Sequence, residues 1–202
     1  MKQELDKLLC EKYPKMMVNR DKSMMETCMC WGFECGNGWF NILDQLMGNI
    51  QHHIDWKDKQ RNGAIKYNEM AARCKAGHFD MFEADMKDTV SLEYKEKRLG
   101  EIVAGDFRPV PDAIPQVTLD QIKEKFGTLR FYYAGGDEYI DGLVSMAESM
   151  SAVTCEECGN PGTQTDGGWI KTICKPCTKE KVKIQEETPE TYRSKGINHC
   201  QL

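Results

Sequence analysis

The chain has 202 residues, of which 40% are hydrophobic and 29% are charged, and its formal net charge is −5. This composition predicts one globular domain, or a core with a small satellite, and excludes disordered and membrane-embedded proteins. The negative charge also disfavours a protein that coats nucleic acid by neutralising phosphates.

No apolar run approaches the roughly 18 residues of a membrane span, and the first residues of the chain are charged. We therefore expect a cytoplasmic location and no membrane partner. In that reducing compartment the ten cysteines are expected to be thiols or metal ligands.

The first quarter of the chain predicts two helices joined by a tight loop. Residues 2–13 place leucines on one side of a short helix, which Pro14 ends. Glycines alternate with aromatic residues over 28–40, as expected for a tightly turned loop. Apolar residues then recur at helical spacing over 39–56, and Asn37 is a suitable N-cap for this helix.

Residues 57–106 differ from the rest of the chain, since ten basic and ten acidic residues occupy them. Acid–base pairs four residues apart, with the acid first, stabilise exposed helices, and three occur here: Glu69–Arg73, Glu83–Lys87 and Glu93–Lys97. Apolar residues are sparse. We therefore predict a mobile helical insertion whose helices lie on a core without forming much of it.

A β-hairpin and a helix follow the insertion. Strands are predicted at 116–121 and 128–133, with the turn at or near 123–127. Asp137 can cap a helix whose apolar residues extend along one face to Met150.

Two pairs of cysteines near the C-terminus predict a zinc ribbon. Each pair has CxxC spacing, and fifteen residues separate the pairs: Cys155, Cys158, Cys174 and Cys177. Each CxxC turn aims two sulfurs at one point, and a hairpin over the intervening residues lets the pairs meet. Four thiolate ligands leave no coordination position for water, so the Zn²⁺ is expected to be structural.

These elements together predict the α+β fold class. A small antiparallel β-hairpin or sheet packs on helices, with the charged helical insertion and the C-terminal zinc ribbon attached. The predicted regions are an α+β core at 1–152 that contains the insertion, the ribbon at 153–184 and a flexible tail at 185–202.

A second group of metal-ligating side chains lies earlier in the chain: Cys28, Cys30 and Cys35, with His52 and His53. Their spacing is irregular, and cysteine is commonly buried as a small apolar side chain, so we favour buried thiols and leave a second metal site open. No third residue that would orient a Cys–His pair can be named, so a nucleophilic site is not predicted.

The predicted hairpin carries the strongest candidate for a binding surface. Arg130 and Tyr132 share one face of the second strand because side chains alternate along a strand. A guanidinium beside an aromatic ring suits a base, a phosphate or a carboxylate, and Lys125 adds positive charge. With Trp39 from the aromatic loop, these residues form the predicted ligand-binding set for a small anionic or nucleotide ligand or a protein partner.

A structural role for the same residues is the alternative. Arg130 would then pair with an acid at the edge of the core, such as Glu34 or Asp137, and the aromatic rings would fill the core. Sequence alone leaves both interpretations open.

Three segments resemble a family of small proteins that is widespread in bacteriophages and prophages. They are WGFECGNGW at 31–39, KEKFGTLRFYY at 123–133, and CEECGNPG at 155–162 with Gly168, Trp169 and Cys174. The resemblance covers roughly residues 5–56 and 116–178 and leaves out the charged insertion. It implies a phage accessory protein that acts in the cytoplasm of the infected cell.

We therefore predict a non-enzymatic protein that binds, sequesters or inhibits a host component, such as a defence protein or its nucleotide-derived signal. One alternative is a nucleic-acid-binding regulator that uses the ribbon, with Trp169 and the lysines of 171–183 on its contact face. A metal-dependent enzyme is a further alternative, which would need an exchangeable metal position at the earlier cysteine group.

Overall fold

The computed structural model describes residues 1–86 and 90–179. In these ranges the chain is a mixed helix and sheet protein with two small sheets. It divides into two compact units. We call Met1–Gln51, with the described residues from Gln116 onward, the core unit, and His52–Pro115 the helical unit.

The core unit contains a three-stranded sheet, two complete helices and the ribbon. Strands β1 (Phe33–Glu34), β2 (Thr118–Lys125) and β3 (Thr128–Ala134) lie in that order, β1 parallel and β3 antiparallel to β2. The helices are α1 (Gln3–Lys12) and α5 (Glu138–Ser151), and the ribbon hairpin consists of β4 (Thr163–Gln164) and β5 (Thr172–Ile173).

The predicted hairpin is confirmed, but its turn is shorter than expected. Strand β2 continues to Lys125, and only Phe126 and Gly127 lie between the strands. Lys123 and Lys125 alternate with inward-facing residues, so their charges point away from the core and do not end the strand. The inner face contributes Leu119, Ile122, Leu129 and Phe131 to the buried core.

Both edges of the three-stranded sheet are covered by side chains. On β3, the backbone N–H of Leu129 donates to Ser151 Oγ at 2.8 Å, and that of Phe131 donates to Glu148 Oε1 at 3.0 Å. On β1, the backbone N–H of Phe33 donates to Asp6 Oδ2 at 3.0 Å. Helices α5 and α1 therefore satisfy amides that an open sheet would expose.

Helix α2 spans Phe40–Lys75 and is much longer than the predicted 39–56. No proline interrupts it, and its end is set by Gly77, whose φ of 84° is in the left-handed region. The N–H of His78 then donates to Arg73 O at 2.9 Å, which satisfies a terminal carbonyl. The predicted start of the insertion therefore falls inside a continuous helix.

Of the two predicted N-caps, one is confirmed and one is wrong. Asp137 Oδ1 accepts from the N–H of Ile140 at 3.2 Å and caps α5. Asn37 instead begins a 3-10 turn, Asn37–Trp39, and its Oδ1 accepts from the N–H of Lys2 at 2.7 Å. The Asn37 side chain therefore binds a backbone group that is distant in sequence, and it does not cap the helix as the local pattern predicted.

The helical unit has an apolar cluster of its own, which the sequence analysis did not predict. Besides the last part of α2 it contains α3 (Asp80–Asp85) and α4 (Leu92–Ala104). The buried cluster consists of Met70, Ala71, Cys74, Phe82 and Ile102. The predicted pair Glu83–Lys87 includes a residue that lies outside the described ranges. In the predicted pair Glu69–Arg73, the arginine forms an ion pair with Asp80 at 2.7 Å.

The extended segment that ends the helical unit is held by polar contacts. Asn68 and Arg108 exchange two hydrogen bonds of 2.8 Å through the Asn68 amide and the Arg108 backbone. Arg61 donates to the carbonyl of Pro111 at 2.6 Å. The segment is therefore not helical, but side chains of α2 hold its backbone in place.

Within the described ranges, no helix is both long enough and apolar enough to cross a membrane. The predicted flexible tail at 185–202 and the last part of the predicted ribbon, 180–184, lie outside the described residues. The described part of the ribbon belongs to the core unit and not to a separate unit.

Candidate metal centre and sheet-face site

The four C-terminal cysteines come together as predicted. Their Sγ atoms all lie within 4.8 Å of one another, and Cys158 Sγ lies 3.6 Å from Cys174 Sγ. A tetrahedral zinc ion with bonds of about 2.3 Å would separate its sulfurs by about 3.8 Å. The 3.6 Å between Cys158 Sγ and Cys174 Sγ is also far too long for a disulfide, in which the sulfurs are about 2.05 Å apart. The geometry therefore fits a metal ion and is compatible with zinc.

Turns of defined conformation aim these sulfurs at one point. In the first CxxC turn, the N–H of Gly159 donates to Cys155 O at 2.9 Å, and the N–H of Cys155 donates to Asn160 O at 2.7 Å. Gly159 has a φ of 79°, which residues with a side chain rarely adopt. The short β4–β5 hairpin then returns the chain to the second CxxC turn.

The protonation of the four thiols is interdependent. A backbone N–H at Asn160, followed by the thiol of Cys177, lowers the pKa of Cys158 to about 7. Donation to Cys174 and Cys158 correspondingly raises the pKa of Cys177. Four sulfurs this close repel one another as thiolates, and a bound divalent cation removes that repulsion. The site is therefore suited to a cation and not to four free thiols.

The aromatic loop, residues 31–39, docks directly on the first CxxC turn. The N–H of Gly38 donates to Glu156 O at 2.7 Å, and the N–H of Gly36 donates to Glu156 Oε1 at 2.9 Å. A Cβ atom on Gly38 would lie 2.1 Å from Cys155 O, so no larger residue fits there. Two segments that sequence analysis treated separately thus form one structure.

Trp39 is a core residue and is not on the surface. Its exposed fraction is 0%, and its Nε1 donates to Thr154 O at 2.9 Å. Glu156 is also buried, and its Oε2 lies 3.7 Å from Lys171 Nζ. Neither position was recognisable from local sequence, because the partners are more than a hundred residues apart in the chain.

In the part of the chain that the structure describes, the C-terminal group is the one cluster of three or more metal-ligating side chains. The earlier residues belong to no such group: Cys28, Cys30, Cys35, His52 and His53. Cys35 is buried, and this burial raises its pKa to about 12. Its thiol is therefore neutral at physiological pH, as expected for a cysteine buried as a small apolar side chain.

The outer side of the hairpin collects most of the predicted ligand-binding residues. Opposed pairs across β2 and β3 are Lys123 with Arg130, Gln121 with Tyr132, and Lys125 with Thr128. Side chains of directly opposed residues lie on the same face, and we call this surface the sheet face, defined by these six residues. Lys123 Nζ also lies 5.3 Å from the centre of the Tyr132 ring.

Lys123 lies between a cation and an acid on the same face of the sheet, since Arg130 opposes it on β3 and Glu34 opposes it on β1. Like charges directly opposed on neighbouring strands destabilise a sheet. Arg130 is only loosely neutralised, since its Nη1 lies 3.7 Å from Glu148 Oε2 and its side chain is 33% exposed. The structural alternative, in which Arg130 pairs with an acid at the edge of the core, is therefore confirmed for the pairing, and the acid is Glu148 instead of the suggested Glu34 or Asp137.

The turn of the hairpin presents an exposed aromatic ring. Phe126 has a φ of 54°, Gly127 has a φ of 76°, and the Phe126 side chain is 66% exposed. Positive φ at both positions is a type I′ turn, in which Asn-Gly is preferred. A bulky residue in this conformation costs about 1–2 kcal/mol, so Phe126 does not serve the turn. The sequence signal for this exposed ring is a phenylalanine directly before the turn glycine.

Comparison of the chain with protein-family models, with curated proteins and with solved structures found no match. Function must therefore be inferred from the geometry and charge of the two sites.

Proposed function

We propose that this protein is a non-enzymatic binding protein that acts on an anionic host component through the sheet face. The observation that carries the proposal is the direct opposition of Lys123 and Arg130 on a solvent-facing surface. The two cations repel each other, Glu34 and Glu148 lie beside them, and an anionic group bound between the cations supplies a further counter-charge.

The remaining residues of the sheet face suit the same role. Tyr132 is 42% exposed and offers a ring beside Lys123, while Lys125 lies one pair further along the hairpin. A ring next to charged donors fits a base or an acidic protein surface. The resemblance to phage proteins suggests the host cytoplasm as the setting, with a defence protein or its nucleotide-derived signal as the target.

We propose further that Cys155, Cys158, Cys174 and Cys177 hold a structural zinc ion. The apolar cluster of the ribbon contains only three buried residues, Cys155, Ile173 and Cys174, so it cannot fold by burial alone. Four sulfur ligands leave no position for a substrate. The ion would stabilise the platform, and the sheet face would make the contact.

Binding measurements on matched variants test the role of the sheet face. We would titrate the purified protein with linear and cyclic nucleotides by calorimetry, and recover host proteins from lysate on immobilised protein. Arg130→Ala and Lys123→Ala should each weaken any interaction by tenfold or more. Lys7→Ala removes an exposed cation from α1 and should change nothing. Should both sheet-face variants keep every interaction of the unmodified protein, the proposed contact is wrong.

Elemental analysis tests the metal separately. We expect one zinc per chain in protein purified without chelators, and none in the Cys155→Ser variant. A metal-free but folded protein would overturn the structural role of the ion without affecting the sheet-face test.

A further inference from the structure

Two exposed aromatic residues lie on turns that touch each other at the end of the hairpin. Phe126 is 66% exposed and Trp169 is 74% exposed. Gly127 packs against the Ile170–Lys171 segment, where its Cβ would lie 3.1 Å from the Ile170 side chain. Thr172 Oγ1 donates to Gly127 O at 2.6 Å, which fixes the hairpin turn on the ribbon.

Each ring buries only a small part of its surface in the folded protein, so neither adds much to the stability of the fold. Phe126 occupies a backbone conformation that favours asparagine or glycine, yet most of its ring remains in solvent. Trp169 projects from a loop between β4 and β5. Single exposed apolar residues are common on protein surfaces, but two exposed rings on adjoining turns, one of them in a strained conformation, form a surface that an external ligand can contact.

Cations alternate with these rings along the hairpin. Lys125 Nζ lies 5.5 Å from the centre of the Phe126 ring, and Lys123 Nζ lies 5.3 Å from that of Tyr132. Arg130 lies opposite Lys123, between the two rings. From Tyr132, which pairs with Gln121, the strand extends for about 17 Å to the turn, at about 3.4 Å per residue.

The acids near this path make hydrogen bonds within the protein, and Glu34 also lies directly beside Lys123 in the sheet. Glu34 Oε2 accepts from Gln121 at 3.1 Å, and Glu124 Oε1 accepts from the N–H of Gly127 at 2.6 Å. Glu148 Oε1 accepts from the N–H of Phe131 while its other oxygen lies near Arg130. The path therefore combines cations and rings with carboxylates that make hydrogen bonds to backbone and amide donors, so an anionic ligand competes with Glu34 and Glu148 for the two cations.

From this arrangement we propose that the sheet face and the adjoining turns bind single-stranded nucleic acid, with Phe126 and Trp169 as stacking platforms. The inference rests on the proposed function, because it names the ligand of the same surface. Proteins that bind single strands combine a cationic path for the backbone with rings on which bases stack.

The shape of the surface favours this ligand over the others. A duplex keeps its bases stacked inside and cannot use the rings. A free nucleotide would fill one ring and one cation but not the rest of the path. The net charge of −5 limits binding to this local surface and predicts modest affinity with little general coating.

Fluorescence anisotropy with labelled twelve-nucleotide dT and rU strands tests the inference, with a hairpin duplex and mononucleotides as comparison probes. At low salt we expect single strands to bind at least tenfold more tightly than either comparison probe. If Lys123, Lys125 and Arg130 each neutralise one phosphate, the slope of log affinity against log salt concentration should be about −2.

Variants separate stacking from charge. Phe126→Asn, which suits the turn, and Trp169→Ala, at an exposed position, should each weaken binding by about tenfold. Unchanged affinity in both, or no single-strand binding at low salt, would overturn the inference.

The proposed function fails by different results. If Lys123→Ala and Arg130→Ala abolish capture of a host protein while oligonucleotides do not bind, the sheet face is a protein contact and the nucleic-acid inference alone is wrong. If oligonucleotides bind through Phe126 and Trp169 while the two cation variants have no effect, the charge-based proposal fails, and with it the path described here.

Discussion

The core unit and the helical unit are stabilised in different ways. In the core unit, distant segments converge on the first CxxC turn, where Gly36, Gly38 and Trp39 all donate hydrogen bonds. In the helical unit, neighbouring helices bury a cluster of five residues and carry ion pairs on their surfaces. The core unit also buries apolar residues such as Leu119 and Phe131, so a metal at the ribbon adds to that burial, whereas the helical unit depends on its own small apolar cluster.

Metal removal should have the largest effect and should fall on the core unit. A structural zinc site contributes on the order of 10 kcal/mol to the folding of a small domain. Chelation, or Cys174→Ser, should therefore abolish the cooperative melting of the core unit. Hydrogen exchange should show lost protection in β5 and the aromatic loop but retained protection around Met70 and Cys74. Protection lost equally in both units would contradict this comparison, and restored protection on adding Zn²⁺ is the control.

Phe82→Ala should reduce hydrogen-exchange protection in the helical unit and leave the core unit unchanged. Phe82 is 4% exposed within the five-residue cluster, and removing such a ring costs about 3–5 kcal/mol. Because that cluster is small, we expect the helical unit to lose most of its protection. Zinc content and the protection of β2 and β3 should not change. A lower zinc content in this variant would mean that the two units do not depend on separate interactions.

A pair of glycine substitutions gives a finer comparison. Gly38→Ala places a Cβ 2.1 Å from Cys155 O and should destabilise the core unit by about 3 kcal/mol. Gly63→Ala meets nothing within 4 Å, and within a helix it should stabilise by about 0.5–1 kcal/mol. Urea unfolding of both variants measures the two signs. Equal effects would mean that the aromatic loop does not need its close approach to the CxxC turn.

The smallest expected effect is a gain in stability at the hairpin turn. Phe126→Asn replaces a strained residue by one that the turn prefers, and should stabilise the core unit by about 1 kcal/mol. Thermal melting should show a higher Tm for this variant. A lower Tm would indicate that the exposed ring packs on the ribbon and contributes to folding.

The parts of the fold that sequence predicted are those fixed by local pattern. The CxxC spacing was sufficient for the metal cluster, and Asp137 before an amphipathic run was sufficient for the cap of α5. The alternation along 128–133 placed Arg130 and Tyr132 on one face. In each case the interacting residues are close in sequence, or their chemistry is unusual enough to identify them.

The parts that sequence missed depend on long-range contacts. Strand β1 has two residues and exists because β2 lies beside it, so no local pattern marks it. Glu156 looks like a solvent-exposed acid, but Gly36 and Lys171 bury it. Helix α2 was predicted too short because the charged residues after Trp56 suggested a separate insertion, and the apolar residues near its end, Met70 and Cys74, pack in a different cluster.

The covered sheet edges limit how this protein can recognise anything. Ser151 and Glu148 accept from the N–H groups of Leu129 and Phe131 on β3, and Asp6 accepts from that of Phe33 on β1. An incoming peptide would have to displace these side chains to add a strand, which disfavours β-augmentation and edge-to-edge self-association. Recognition through outward side chains needs no such displacement, so single substitutions there can weaken a partner contact without altering the backbone.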